Sequence, residues 1–357
     1  MNDLERELHY PLGEALPESG RCLEVAPGVK WIRMGLPFAL NHINLWLLRD
    51  HQDGEQGRVE GWTIVDCCIH RDEAKAQWEA IFANELDGLP VLRVIVTHMH
   101  PDHIGLAHWL CQRWNVPLWI SALDYQVARL GCMGPTAFGG ERTAAFFAIH
   151  GINDEANQTQ LRDRKDYFTN LVPSVPSEYH RLLDGQRVRV GQHHWRCISG
   201  YGHAPEHMAL YCEDLNVMIG GDMMLPRIST NVSVYEQEPE SDALSLFLNS
   251  IDKFKELPED TLVLPSHGKP FTGMHIRIQQ LHDHHNDRLA DVMEACSVQP
   301  QSAAYVLPVL FKQKLDFHQI TFALGESVAH LHRLWYQGQL RRQLDADGVY
   351  RFAAVKI

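Results

Sequence analysis

The sequence predicts an α/β fold from three observations. Short apolar, β-branched runs recur and stop abruptly at a polar residue or a proline, as 91–96 does at Thr97 and 261–264 does at Pro265. Stretches with helical spacing of apolar positions lie between them, among them 73–83 and 242–256. Histidines and aspartates collect where the strands end, the rigid placement a preorganised site requires.

Taken in order, residues 1–22 are polar and punctuated by Pro and Gly, an arm leading into the first hairpin. Residues 25–34 and 44–48 read as strands, joined by a loop, 35–42, that carries Phe38 and His42. Residues 50–61 read as a polar turn and 62–66 as a strand ending at Asp66. Strand 91–96 runs into Thr97-His98-Met99-His100-Pro101-Asp102-His103-Ile104-Gly105. A helix from about 103 to 114 then leaves Asp102 near its N-terminus, where free amides and the dipole favour a carboxylate.

Residues 132–181 are too long for a simple connection and contain helical patterns at 142–149 and 154–168. They read as a helical lid over a cleft, shaping the substrate pocket, or as a solvated insertion or an oligomer contact. Strands 188–190 and 195–199 deliver the chain to His203, and 217–219 precedes Asp222. Arg227 follows in a mixed loop, and its planar fork suits a substrate carboxylate or phosphate, or a structural salt bridge. Strand 261–264 leads to His267. Beyond 274 the pattern becomes helical at 275–296, 303–311 and 322–337, then a hairpin over 340–352 turns at Asp347-Gly348. His282, His284 and His285 do not share one helix face and read as solvated.

At 357 residues, with 45% hydrophobic content, the chain has room for two domains and a sizeable core. A formal net charge of −13 argues against a general polyanion-binding surface. From 131 to 180 six acidic residues face four basic ones, and from 298 to 357 seven basic face four acidic, too small an excess to mark a nucleic-acid site. The N-terminus has no apolar signal region and no run approaches about 18 apolar residues. The eight cysteines form no C-x-x-C. Free thiols, a reducing cytoplasmic setting and no membrane association are therefore expected.

The chemistry lies in the histidines. Three imidazoles and a carboxylate within six residues offer more ligands than one metal could take from so short a loop, and two adjacent metals could share them. With Gly202-His203-Ala204-Pro205-Glu206-His207, Gly220-Gly221-Asp222 and Pro265-Ser266-His267-Gly268 following in order, the motif resembles the signature of the metallo-β-lactamase superfamily.

The resemblance implies a four-layer αββα sandwich over 1–274 with a helical insert at about 131–181. It also implies a C-terminal module, 275–357, similar to the winged helix of a subgroup that includes a mitochondrial endoribonuclease. By the family pattern His98, His100 and His203 would bind one metal, Asp102, His103 and His267 another, and Asp222 would bridge them. Asp66 would support the ligand loop by hydrogen bonds, and the 35–42 loop would overhang the metals, bringing Phe38 and His42 to the pocket mouth, or leaving Phe38 as a hydrophobic plug and His42 as a capping hydrogen-bond partner. His207 would donate to a substrate oxyanion or a ligand, or serve structurally. The ligand set suits two divalent ions, Zn²⁺ first, with Fe or Mn also accepted.

A shared hydroxide is then expected to attack a small thioester, ester or lactone, in the manner of glyoxalase II-like enzymes, with Asp102 handling its proton. A metal-dependent endoribonuclease and a non-catalytic metal-containing binding protein are the alternatives. A small-molecule substrate is the expected partner, and a homodimer is left open.

Overall fold

The computed structural model describes residues 4–54, 57–134 and 138–355. Lys356 and the first three residues of the N-terminal arm therefore lie outside the described residues, as do 135–137 of the insert. β1 (Leu23–Ala26), β2 (Val29–Gly35), β3 (His42–Gly54), β4 (Gly57–Val65), β5 (Val91–Ile95), β6 (Leu118–Ser121) and β7 (Tyr179–Leu182) form one sheet in chain order. It is antiparallel through β4 and parallel beyond. β5 is buried at every position, as a parallel strand covered on both faces must be. β8 (Arg187–Val190), β9 (His193–Gly200), β10 (His207–Cys212), β11 (Val217–Gly221) and β12 (Leu262–Pro265) form the second sheet, in reverse chain order.

Strand alternation sorts the side chains into layers. One face of the first sheet, with Trp31, Trp46, Leu48 and Val65, packs on Trp195, Met208, Leu210 and Ile219 of the second. Trp31 and Trp46 are cross-strand partners whose rings stack at 6.3 Å. The other face, with Ile32, Ile43, Leu45 and Val94, is covered by α1 (Asp72–Asn84), α2 (Pro101–Ile104), α3 (Ala107–Trp114) and α4 (Ala122–Cys132).

The insert supplies α5 (Gly140–Ile149), α6 (Glu155–Asp163) and α7 (Tyr167–Leu171). Against the outer face of the second sheet lie α8 (Ala243–Asp252) and α9 (Met274–Val298), followed by α10 (Ala303–Leu310), α11 (Phe317–Tyr336) and the hairpin β13 (Leu340–Leu344) and β14 (Tyr350–Ala354). The result is a four-layer αββα sandwich with a further C-terminal module. Leu324, Val328, Leu331 and Phe352 of that module join the same apolar cluster as Phe247 and Met218, so 275–357 packs as part of the sandwich rather than around a core of its own.

Several sequence expectations are corrected. Most of 50–61 is strand and not turn: β3 and β4 pair there from Asp50 with Gly61 to Gly54 with Gly57, because paired backbones need no apolar side chains, and residues 55–56 lie outside the described residues. The helix expected from 103 is two, split where Gly105 passes against the backbone of Ile69 too closely for a Cβ. The helix expected over 154–168 breaks at a 3-10 turn, Arg164–Asp166, and the end of the insert forms β7. α11 starts at Phe317, five residues early, where Asp316 and Gln319 make a capping box. His285 is fully buried against His330, and His282 pairs with Asp252 at 2.8 Å, so that helix face is not solvated.

The hairpin also carries a buried ion pair. Asp50 accepts from Arg93 Nε, Thr63 Oγ1 and the backbone N–H of His51 and Gly191, the last reaching from the second sheet. Removing one partner leaves an uncompensated buried charge. Arg93→Met is therefore expected to lower unfolding stability by about 3–5 kcal/mol in urea titration, whereas Arg189→Met, which breaks an exposed pair with Asp53, is expected to leave the transition almost unmoved.

Candidate metal centre

The metal-ligand candidates stand at strand ends of both sheets. His98, His100, Asp102 and His103 follow β5, His203 lies between β9 and β10, Asp222 follows β11, and His267 follows β12. Gly221 lets β11 end there. It adopts φ +54°, and a Cβ would fall on the His207 imidazole.

All seven come together. His98 Nε2, His100 Nδ1 and His203 Nε2 lie 2.9–3.2 Å apart, with Asp222 Oδ2 3.3 Å from His203. Asp102, His103 and His267 make the second group, and Asp222 Oδ1 faces His103 Nε2 at 3.6 Å and His267 Nε2 at 3.5 Å. Each oxygen of Asp222 thus faces one group. Three nitrogens cannot satisfy one another by hydrogen bonds, but ligands 2.0–2.1 Å from a shared tetrahedral ion would sit about 3.3 Å apart. His103 Nε2 and Asp222 Oδ1 are buried without a hydrogen-bond partner. The arrangement fits cations between these atoms.

Electrostatics agree. Burial and neighbouring imidazoles hold His98 well below its usual pKa and His100 down at about 3, so both present neutral nitrogens. Burial opposes charge on His103 and His267 as well, but Asp66, Asp102 and Asp222 raise the first well above normal, and Asp222 and Asp102 push the second up to about 10. The second group therefore has carboxylate charge that asks for a cation.

Behind the ligands every aiming contact comes from a different element. His103 Nδ1 donates to Asp66, His203 Nδ1 to the Asn231 carbonyl and His267 Nδ1 to the His42 carbonyl, which turns each Nε2 to the centre. Asp66, in the left-handed region at φ 63°, also accepts from the Thr97 amide and hydroxyl. Asp124, at the start of α4, accepts from the amides of Met99 and Glu206 and so ties the first ligand loop to the His203 loop. Nothing in the sequence marks Asp124 for this role. Asn231 is held in turn by Glu326 of α11 at 3.1 Å, which links the C-terminal module to His203.

A cavity of about 310 Å³ opens over the centre. Its floor contains His100, Asp102, His203, Asp222 and His267. The 35–42 loop contributes Leu36, Phe38 and Leu40; the insert Phe138, Phe147, Arg164 and Tyr167; α11 His318, Thr321 and Phe322. The insert thus lines the cavity, as a lid would.

Three expected site residues are elsewhere. His42 bonds Asn41 and accepts from the Gly268 amide, fixing the His267 loop instead of facing substrate. Arg227 is 68% exposed, pairs with Glu5 at 3.9 Å and does not line the cavity. His207 is fully buried; its Nε2 accepts from the Asp222 amide, and burial keeps it neutral, so it supports the bridging loop and touches no cavity space. Sequence reading missed Arg164, Tyr167 and His318 because only tertiary packing carries them to the metal loops.

Residues 43–267 match the family described as Metallo-beta-lactamase superfamily, and 289–355 match Metallo-beta-lactamase-like, C-terminal domain. The chain is similar to a solved beta-lactamase domain protein from Burkholderia ambifaria, with 51% identity and TM-score 0.93 over 99% of this chain and 100% of that one. It also resembles a solved metallo-beta-lactamase family protein from Thermus thermophilus, with 25% identity and TM-score 0.74 over 93% and 100% of the two chains. A Bacillus subtilis protein named "Probable metallo-hydrolase YqjP" is 22% identical over 327 residues, 89% of this chain and 96% of that protein.

Asp66→Asn turns an acceptor for His103 into a weaker one and is expected to reduce metal affinity about 10- to 100-fold, measured as retained metal against a competing chelator. Burial raises the Glu326 carboxyl from 4.5 to about 7. The folded protein therefore holds a proton that the unfolded chain has lost, and the stability from this group declines as pH rises between those values. Thermal midpoints of wild type and Glu326→Gln are expected to converge below that range and to favour the variant above pH 7.

Proposed function

The chain belongs to the metallo-β-lactamase superfamily, and on that footing we propose that it is a metal-dependent hydrolase of a small thioester, ester or lactone. His98, His100 and His203 would hold one divalent ion, Asp102, His103 and His267 the other, with Asp222 shared. Their nitrogen and oxygen donors suit Zn²⁺ and also accept Fe or Mn. Bound there, the ions supply a nucleophilic water at neutral pH and polarise the acyl oxygen.

The observation that carries the reading is the cavity. Ligand atoms form its floor, and its walls are mostly apolar and aromatic, the lining of a small-molecule site. Phe38, Phe147 and Phe322 would bury an acyl chain and exclude bulk water. Asp102 is at once a member of the ligand group and a cavity-lining residue. In this reading its carboxylate would take the proton of the attacking water and return it to the leaving sulfur or oxygen. Water adds across the acyl bond, and a carboxylic acid and a thiol or alcohol leave.

Of the three arginines in the C-terminal hairpin, Arg341 is exposed and the other two are engaged by acids. Arg342 donates twice to Glu240 at 2.9 Å, and Arg351 pairs with Asp345 and Asp347, so these cations are already neutralised. All eight cysteines are free, which fits a reducing cytoplasmic setting.

Hydrolysis of a panel of alkyl and aryl thioesters, lactones and single-stranded RNA by wild type and Asp102→Asn tests the reading. Thioester or lactone turnover is expected, falling by about 10²- to 10⁴-fold in the variant. RNA cleavage lost in the variant, with the esters untouched, would overturn it.

A further inference from the structure

The cavity wall contains a cation with no acid to balance it. Arg164 sits in the 3-10 turn of the insert, where the helix expected there breaks. Its guanidinium lies 3.9 Å over the Tyr167 ring and donates to two neutral acceptors of α11, Thr321 Oγ1 at 2.6 Å and His318 Nδ1 at 3.2 Å. Among the described residues no carboxylate is within ion-pair distance of it, although other arginines of the insert and of the hairpin find one, Arg162 with Glu141 and Arg342 with Glu240. Glu236, the acid elsewhere in the wall, is engaged by the Thr143 hydroxyl and Gln237.

We propose that Arg164, aimed by Thr321 and His318, is the specificity residue that anchors an anionic group of the substrate, making the preferred substrates acyl thioesters, esters or lactones that carry a carboxylate or comparable anion away from the scissile bond. The inference rests on the proposed hydrolase reading and adds the substrate's charge to it.

The surroundings are built for this. Burial and the nearby guanidinium keep His318 below its usual pKa. Its Nδ1 accepts from Arg164, so its proton sits on Nε2 as a second, neutral donor. Thr321 Oγ1 donates its own proton to the His318 carbonyl and is left an acceptor for Arg164. Phe38 stacks on His318 at 5.4 Å, and Phe322 meets it edge-on at 5.1 Å, shielding the pair from water. A desolvated guanidinium without a counter-charge gains most from a charged acceptor, and its fork matches a carboxylate in two hydrogen bonds.

Two measurements test this. In the first, the N-acetylcysteamine thioesters of butyrate and hemisuccinate are compared in wild type, Arg164→Gln and Arg164→Lys. Wild type is expected to favour the anionic acyl group by about tenfold or more in kcat/KM, mainly through KM. The ratio should collapse towards one in Arg164→Gln and recover partly in Arg164→Lys. Equal kcat/KM in wild type, or a preference that survives Arg164→Gln, overturns the proposal.

The second needs no turnover: calorimetric binding of hexanesulfonate, a poor ligand for divalent metals, against neutral hexyl methyl sulfone. Tighter sulfonate binding by wild type than by Arg164→Gln supports the anchor even if every ester is inert, an outcome that would sink the hydrolase reading alone. Equal binding overturns the anchor. Thr321→Val, which keeps the charge but removes its aiming contact, should weaken the sulfonate by a few-fold and decides the matter should Arg164→Gln not fold.

Discussion

Imidazole nitrogens about 3 Å apart, with buried carboxylate oxygens facing them, are an arrangement that the chain could not hold for its own sake. Each such group costs free energy when taken from water without a partner. Much of the architecture acts as reinforcement against that cost. Asp66 and the carbonyls of Asn231 and His42 fix three ring orientations from behind, and Asp124 joins two ligand loops by their amides. Metal affinity is in this sense stored in residues that touch no metal.

The sandwich explains why strand ends can do this. Both sheets bring their ends to one edge, and the apolar layer between them, to which Trp46 and Trp195 both belong, fixes how far apart the two sets of ends lie. The family fold fixes the ligands but not the chemistry of the walls. Those come from two additions. The insert supplies Phe147, Arg164 and Tyr167, and α11 supplies His318, Thr321 and Phe322. The same helix reaches the centre through Glu326 and Asn231, so the C-terminal module is part of the site and not an appendage to it.

Charge placement separates the body from the pocket. The chain is strongly acidic overall, and the basic residues of the insert and hairpin named above mostly meet carboxylates across the surface. Arg164 alone of these sits in the cavity wall, half-buried, against neutral partners. Screening by solvent makes the first group weak in effect, while the partly desolvated cation is screened less from whatever enters.

The sequence by itself determined the fold class, the strands that lead into the metal loops and the seven candidate ligands, because each is a local pattern: an apolar run, then His or Asp at a fixed offset. Asp66, at the end of 62–65, was legible through the family resemblance. Only the tertiary structure decided which polar residues face the cavity. Arg227 and His42 had the right chemistry in suggestive loops, yet one points to solvent and the other holds a backbone amide, whereas Arg164 and His318, 154 residues apart, meet across the pocket. No period or spacing encodes such a meeting. It arises from how the insert and the last long helix pack against the sandwich, a long-range outcome of buried apolar contacts.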